Sequence, residues 1–580
     1  MAIRSPGLPR KERNSSAVQV PPPAGISLRF ALPLAALLAG IVFAVYSPSL
    51  GFQFILDDHR FTADPRIQNS GHIWDYFTSF VWAQYVGGPP GFYRPVFLLW
   101  MRLNYLLTTL SPWGWHFLSI AKHLLVAALL GMLVWKLLRD PIAAFCAAAL
   151  FALHPAQTES VSWVTVPDPL MTAAILTALL FYLRYSDRPL LEMDHRPKRS
   201  RKSSAREASQ SSAVWLLASS AAYFAALLAK ETAIVFPIVI FALGMQERRA
   251  DPETKSRSQV ESSLAHRLPA GLRQTVPFAI VTGIYLLMRF DALEGKLSPV
   301  TQHLPWKTVL LSWPGVFWFY LRVIVWPIKS YAFADPVLVE TPSVREVLIP
   351  LLAILFAAAI LIGVLFWFRR RAKFPPADHD QSNALSASIM GTLLLVLPLL
   401  PALNLNALNP GDFLHGRYTY LPLAGLMLLL AVAVHLAGGF KVAAAIAVGA
   451  LAVGYVTLTV SQEKQWKDDL TLFTTAHQMA PHNAPVARNL ADAHVSQALL
   501  LEEDGRCGEA IPVFEQVSHD YPDDWYPVAG LGYCYVQNND LVKAEQFLHR
   551  AADLSRDAGI TRQWQELRAH IGLPTTTPAP

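Results

Sequence analysis

Runs of about twenty apolar residues recur along this chain of 580 residues, and a helix needs about that length to cross the hydrocarbon core of a bilayer. Backbone groups in lipid must bond within their own segment, so such runs fold as helices. The first covers about 28–50. Others follow at about 115–138, 141–154, 163–185, 213–229, 231–246, 274–290, 346–368, 386–404, 419–436 and 440–461. The expected fold is all-α, a polytopic membrane domain of about eleven spans over 28–461. A mean hydropathy of +0.32 with only 16% charged residues excludes a soluble globular protein.

Charge orients the spans. Residues 1–27 are basic, then rich in Ser and Pro, and read as a disordered cytoplasmic tail. With no small-residue cleavage site after it, the first span reads as an anchor, not a signal peptide. It leads to a long extracytoplasmic loop at 51–113 with two amphipathic stretches. In the first, Ile73, Trp74, Phe77, Phe80, Val81 and Trp82 recur at helical spacing, as in a helix lying in the interface. In the second, 93–105, Arg94, Arg102 and Asn104 oppose a lipid-exposed crossing, at roughly 3 kcal/mol for a central Arg. With that stretch also interfacial, the basic loops at 184–207 and 248–273 fall inside, as the positive-inside rule requires. A crossing at 309–326 would place Arg369, Arg370, Arg371 and Lys373 outside, so this run reads as re-entrant or interfacial. Eleven spans put the C-terminus outside.

From Gln462 onward 9 Lys and Arg stand against 17 Asp and Glu, so this part is acidic and the membrane part basic. Basic charge in a membrane domain orients its loops and argues little for nucleic acid. Residues 462–560 hold a repeat of 34 residues. Ala510, Phe514, Val517 and Pro522 are followed one period later by Ala544, Leu548 and Ala551, with Leu531, Gly532 and Tyr535 at earlier positions of the same unit. Phe473, Ala476 and Pro481 end a preceding unit, and Leu490 and Ala491 begin the next. This is the pattern of a tetratricopeptide repeat, whose small residues let paired helices pack closely and whose concave face suits a polypeptide partner. Residues 561–580 read as a C-terminal tail, disordered at its end. Of three cysteines, Cys507 and Cys534 can pair if this domain is extracytoplasmic, but their separation is not fixed by sequence.

If the topology holds, ionisable groups gather at the outer membrane edge: Asp57, Asp58 and His59; Tyr93 and Arg94; His154, Gln157 and Glu159; Asp168; Lys230 and Glu231; His415, Arg417, Tyr418 and Tyr420. Such groups are costly there and mark function more often than in soluble proteins. A carboxylate can act as general base toward a hydroxyl, and Arg or Lys can hold a phosphate. Each also has a structural reading. Asp57-Asp58 can be an acidic turn, Lys230-Glu231 a charged turn between spans, Arg417 a headgroup anchor, His154 before Pro155 a helix cap, and Asp168 between two prolines a kink. Asp57-Asp58-His59 leaves a divalent metal open, although adjacent residues rarely supply a full ligand set.

In these residues the chain resembles the transmembrane and tetratricopeptide-repeat O-mannosyltransferases, of the GT-C glycosyltransferase superfamily, and their bacterial relatives. The resemblance rests on Asp57-Asp58 after the first span, Tyr93-Arg94-Pro95, Arg102-Leu103-Asn104-Tyr105, Leu150 to Pro155 with Thr158 to Val164, Ala229-Lys230-Glu231, Arg417 to Pro422, and the terminal repeats, in that order. It departs where Val166-Pro167 precede Asp168 and where Gly416 precedes Arg417. The resemblance implies inverting transfer of a sugar, such as mannose, from a polyprenyl-phosphate carrier to a polypeptide hydroxyl on the outer face, most simply of a bacterial inner membrane. Asp58 or Asp57 would be the base. Arg94, Lys230, Arg417 and Tyr418 would hold the donor phosphate, with His59, Tyr93, His154, Glu159, Glu231 and Tyr420 around them, and the repeats would present the acceptor. The rival classes are a transporter or lipid flippase with an interaction domain, and a non-catalytic scaffold. A transporter would more often show related halves with interrupted spans near the midplane.

Overall fold

The computed structural model describes residues 28–84, 91–186, 198–246, 264–295, 303–328, 333–334, 338–371, 379–408, 411 and 414–574. The proposed N-terminal tail, the final six residues and the middle of both basic loops lie outside the described residues. The described chain is helical and shows no strand. Nine of its helices are long and apolar enough to cross a membrane, or ten if the bent pair Pro141–Leu153 and Pro155–Ser162 forms one span. The chain is a multi-pass membrane protein.

Three of the expected runs differ in form. Ala213–Ala229 and Glu231–Gly244 lie near their expected bounds, with the break at Lys230, but are short for a crossing, and 309–326 is one continuous helix, Trp306–Val325, long enough to cross. The bend of 55° between Pro141–Leu153 and Pro155–Ser162 follows from Pro155, which cannot continue the helix. His154 caps the second piece by accepting from the Ala156 N–H at 3.2 Å.

The membrane core forms where Pro112–Leu138, Pro141–Leu153, Asp168–Ser186 and Tyr420–Leu436 pack together. Lipid offers helices little hydrophobic reason to associate, so close approach through small residues matters more. The run 143–152 contains Ala at six positions. Gly425 is a sharper case: a Cβ there would lie 2.4 Å from the Leu395 main-chain N and 2.6 Å from the Gly391 carbonyl. At the opposite end from the ionisable groups, Asp140 caps Pro141–Leu153 through the Ile142 and Ala143 N–H groups and binds Lys441 at 2.6 Å.

The first loop is a compact layer in which the second amphipathic stretch is a helix and the first mostly is not. Of the stretch 73–82, only Asp75–Thr78 is helical. Arg66 takes over the carbonyls beyond it, donating to Phe80 O at 3.1 Å and to Val81 O while paired with Asp64. The second stretch is the helix Pro95–Thr108, whose 14 residues are too few to span. Arg102 is not left facing lipid: it is buried and donates to Ile67 O at 2.6 Å. Phe61, Ile67, Tyr76, Phe97, Met101 and Trp115 fill the layer.

The C-terminal domain comprises Asp469–Met479, Ala484–Glu503, Cys507–Asp520, Trp525–Gln537, Leu541–Ser555 and Ala558–His570. Asp468, Asn483, Asp524, Asp540 and Asp557 each cap a following helix through a side-chain oxygen. The repeat residues Ala510, Phe514, Val517, Ala544, Leu548 and Ala551 are all buried. A Cβ on Gly532 would stand 2.7 Å from Leu548, which explains the glycine. Folded structure continues past 560, where a tail was expected, because Ile560 and Trp564 pack on Leu548 and Ala551.

Cys507 and Cys534 form a disulfide across 27 residues of chain. Closing a loop of that length constrains the unfolded state by roughly 3–4 kcal/mol in the chain-entropy model. Reduction, or Cys507→Ser, is expected to lower the repeat domain's thermal unfolding midpoint while the membrane domain's transition stays in place. Coincident shifts of both transitions would contradict this.

Candidate functional site

Asp57 follows directly from a tight turn. Leu56 has φ 52° and ψ −126°, and the Asp58 N–H closes the turn onto the Ile55 carbonyl at 2.9 Å. These are the angles of the first central position of a type II′ turn, normally glycine. Leucine there costs roughly 1–3 kcal/mol, and such strain persists only where the surroundings enforce it. The turn sends the two neighbouring carboxylates in different directions.

Asp57 lines a cavity of about 740 Å³. Asp58 is fully buried behind it. Its Oδ1 accepts from Thr165 Oγ1 at 2.6 Å and the Thr165 N–H at 3.2 Å, and its Oδ2 from the Ile55 N–H at 3.2 Å. Burial pushes its carboxyl up to about 7 even against those donors. Asp58 thus ties the first loop to the segment 163–167, which forms another wall of the cavity. The next residue, His59, lines the cavity and pairs with Asp469 at 2.8 Å. The three therefore do not converge on one point as ligands of a metal would.

Of the cations that line the same cavity, three are each held by a carboxylate from a distant element. Arg94 donates Nε and Nη2 to Glu231 at 3.0 and 2.7 Å. Lys230 Nζ meets both oxygens of Asp168, at 2.7 and 2.6 Å. Arg417 donates its main-chain N–H and Nη1 to Glu159 at 3.0 and 3.2 Å. Asp168 begins a helix, where a negative charge is favoured. The three carboxylates orient the cations and cancel their charge, leaving aligned donors more than a strongly positive field. Tyr418 stands among them, its ring 4.6 Å from Lys230 Nζ and 5.5 Å from Arg417 Cζ, and Trp163 covers Arg417 at 4.5 Å.

Of the residues expected from sequence, the cavity gathers Asp57, His59, Arg94, Lys230, His415, Arg417 and Tyr418, with Glu231, Asp168 and Glu159 as their partners. Tyr93, His154 and Tyr420 do not reach it. Tyr93 donates to Phe77 O at 2.9 Å, His154 Nε2 meets Ile324 O at 3.0 Å, and the Tyr420 hydroxyl meets His123 at 2.7 Å, all three residues being buried in packing positions. The sequence did not point to the far wall. Asp469, Phe473, Asn489, Asp492, Ala493 and Ser496 of the C-terminal domain close the cavity. Residues 489, 492 and 496 share one face of the helix Ala484–Glu503, but nothing local in the sequence says what that face meets.

A tetratricopeptide-repeat family model matches residues 501–571. The human protein O-mannosyl-transferase TMTC3 is 24% identical over 545 residues, covering 89% of this chain and 54% of its own length. Human protein O-mannosyl-transferase TMTC1 is 27% identical over 523 residues, covering 84% and 55%. The chain is similar in sequence to these protein O-mannosyl-transferases over most of its residues. Against Tmtc2 of Drosophila melanogaster identity reaches 34%, but over 149 residues, 25% of this chain and 16% of that one. The chain spans about half the length of the curated relatives it matches over most of its residues. Among solved structures, the Archaeoglobus fulgidus oligosaccharyltransferase tethered with an acceptor peptide aligns at a TM-score of 0.39 and 13% identity, over 80% of this chain and 59% of that one.

Asp58 has a folded pKa raised to about 7, against about 3.9 unfolded. The folded state therefore holds its proton more tightly, and this group's contribution to stability declines as pH rises from about 4 through about 7. Asp58→Asn is expected to flatten the pH dependence of the unfolding midpoint over that interval. Equal pH profiles for Asp58→Asn and the wild type would contradict the placement of Asp58.

Proposed function

We propose that this chain is an integral-membrane glycosyltransferase that moves a sugar, a hexose such as mannose, from a polyprenyl-phosphate carrier to a Ser or Thr hydroxyl of a polypeptide. The observation that carries this reading is the single cavity joining Asp57, three oriented cations and a helix of the repeat domain. Its homologues' name, protein O-mannosyl-transferase, supports the same acceptor and sugar. The tetratricopeptide domain supports a polypeptide acceptor, since its helix Ala484–Glu503 contributes to the wall opposite the cations.

In this reading the acceptor hydroxyl enters from the repeat side and gives its proton to Asp57. Its oxygen attacks the anomeric carbon from the face opposite the phosphate, and the bond from that carbon to the phosphate oxygen breaks. The electron pair leaves with the polyprenyl phosphate, and the anomeric configuration inverts. Arg94, Lys230 and Arg417 hold the phosphate and stabilise the charge it gains on leaving. Arg94 and Lys230 have donor capacity beyond their carboxylate partners, since a guanidinium carries five N–H and an ammonium three. A phosphodiester brings one negative charge, which suits donors already aligned and almost neutralised. The disulfide between Cys507 and Cys534 supports an oxidising, extracytoplasmic location for the repeats and hence for the cavity.

Transfer from a radiolabelled polyprenyl-phosphate hexose into protein, in membranes holding matched amounts of each variant, tests the proposal. Asp57→Asn is expected to lower transfer by roughly 10²–10⁴-fold, the usual worth of a general base. Arg417→Ala is expected to raise the KM for the lipid donor and to lower kcat. Label recovered in a lipid or glycan fraction would change the acceptor. Full activity in Asp57→Asn would overturn the assignment of the base, and no transfer with any donor would leave a transporter or scaffold as the better account.

A further inference from the structure

The strained turn before Asp57 is held from outside the membrane domain. Asp469 is the first residue of the repeat domain's first helix, Asp469–Met479. Its Oδ1 accepts from the Leu56 N–H at 2.9 Å, and its Oδ2 meets His59 Nε2 at 2.8 Å. One carboxylate therefore grips the chain on both sides of Asp57. Two residues earlier in the repeat domain, the Lys467 carbonyl accepts from the Gln53 N–H at 2.9 Å. Leu56 also packs on a cluster containing Trp466, Leu472 and Phe473.

Leu56 takes a positive φ of 52°, a conformation that glycine adopts freely and leucine does not. Without an external hold, leucine would relax toward negative φ, and that rotation would swing Asp57, the next residue, away from the cavity. The exposed ion pair to His59, whose side chain is 56% accessible, is too solvated to do this alone. The hydrogen bond to the Leu56 N–H is less solvated and acts directly on the strained residue.

We propose that Asp469 is a positioning residue for the transfer reaction: it fixes the strained Leu56 turn and so aims Asp57 into the cavity, making the repeat domain a working part of the catalytic site as well as a seat for the acceptor. This rests on the reading of Asp57 as the base. The chemistry should then depend on Asp469 even when donor binding does not, because Arg94, Lys230 and Arg417 are anchored elsewhere.

The test uses the full chain in detergent or vesicles and compares Asp469→Ala, Asp469→Asn, Leu56→Gly and the double variant Leu56→Gly/Asp469→Ala, with Asp57→Asn alongside. Asp469→Ala is expected to lower kcat by about ten-fold or more with the KM for the polyprenyl-phosphate donor unchanged. Asp469→Asn keeps an acceptor oxygen for the Leu56 N–H and should retain most of the turnover. The informative result is the double variant. With glycine at 56 the turn no longer needs enforcing, so kcat should recover at least several-fold over Asp469→Ala. Wild-type kcat in Asp469→Ala would overturn the proposal, as would a loss that Leu56→Gly fails to recover, since a general folding defect would not respond to glycine there. If Asp469→Ala does not accumulate as folded protein, the double variant must restore accumulation, and its failure to do so overturns the proposal equally. Retained activity in Asp57→Asn would instead defeat the underlying reading of the base, an outcome distinct from all of these.

Discussion

A cation largely withdrawn from water needs a counter-charge, and the site is organised around that constraint. Arg94 needs Glu231, Lys230 needs Asp168 and Arg417 needs Glu159, and each pairing joins parts of the chain far apart in sequence. Removing one partner of the buried Lys230–Asp168 pair strands the other, at a cost of several kcal/mol. The three pairs therefore tie the broken helix at 141–162, the break at Lys230 and the turn before Tyr420–Leu436 into one arrangement. That arrangement carries no large net charge. What it offers a substrate is a set of donors whose directions are already fixed.

The helical membrane architecture was legible because its signal is long and redundant: a run of twenty apolar residues has few alternatives. The repeats were legible for a similar reason, since Phe514, Leu548 and the small residues around them recur at a fixed period and are buried as the period requires. The first loop was less so. Its aromatic spacing mimicked an interfacial helix, but Arg66, outside that stretch, captures the carbonyls that a helix would have used. The fate of a backbone carbonyl depends on whatever donor tertiary structure brings to it, and local spacing carries no record of that.

The site shows the same division. Sequence identified most of the ionic groups because ionisable residues next to apolar runs are rare and conspicuous. It did not separate Asp57 from Asp58, since the difference is made by Leu56: a positive φ at that residue turns one carboxylate to the cavity and the other to Thr165. Nor did it separate Tyr420, bound to His123, from Tyr418, two residues away and facing the cations. Adjacent polar residues in a turn or at a helix start point in different directions, and the turn geometry decides which one works. Asp469 was hidden for another reason. On sequence it is one more acid in an acidic domain, and its meaning comes from contacts 413 and 410 residues distant.

The cavity lies between two domains with different tasks, and both supply its walls. Fixed cations on the membrane side suit a lipid-borne phosphate, while polar residues on a repeat helix face the opening through which a polypeptide would come. Asp57 stands between them, on a turn that both domains hold. A structure of the full chain with a non-transferable polyprenyl-phosphonate sugar analogue bound is the most direct test of this division. The account predicts phosphonate oxygens within hydrogen-bonding distance of Arg94, Lys230 and Arg417, with the anomeric carbon between them and Asp57. A phosphonate bound away from those three cations, or a sugar facing away from Asp57, would contradict it.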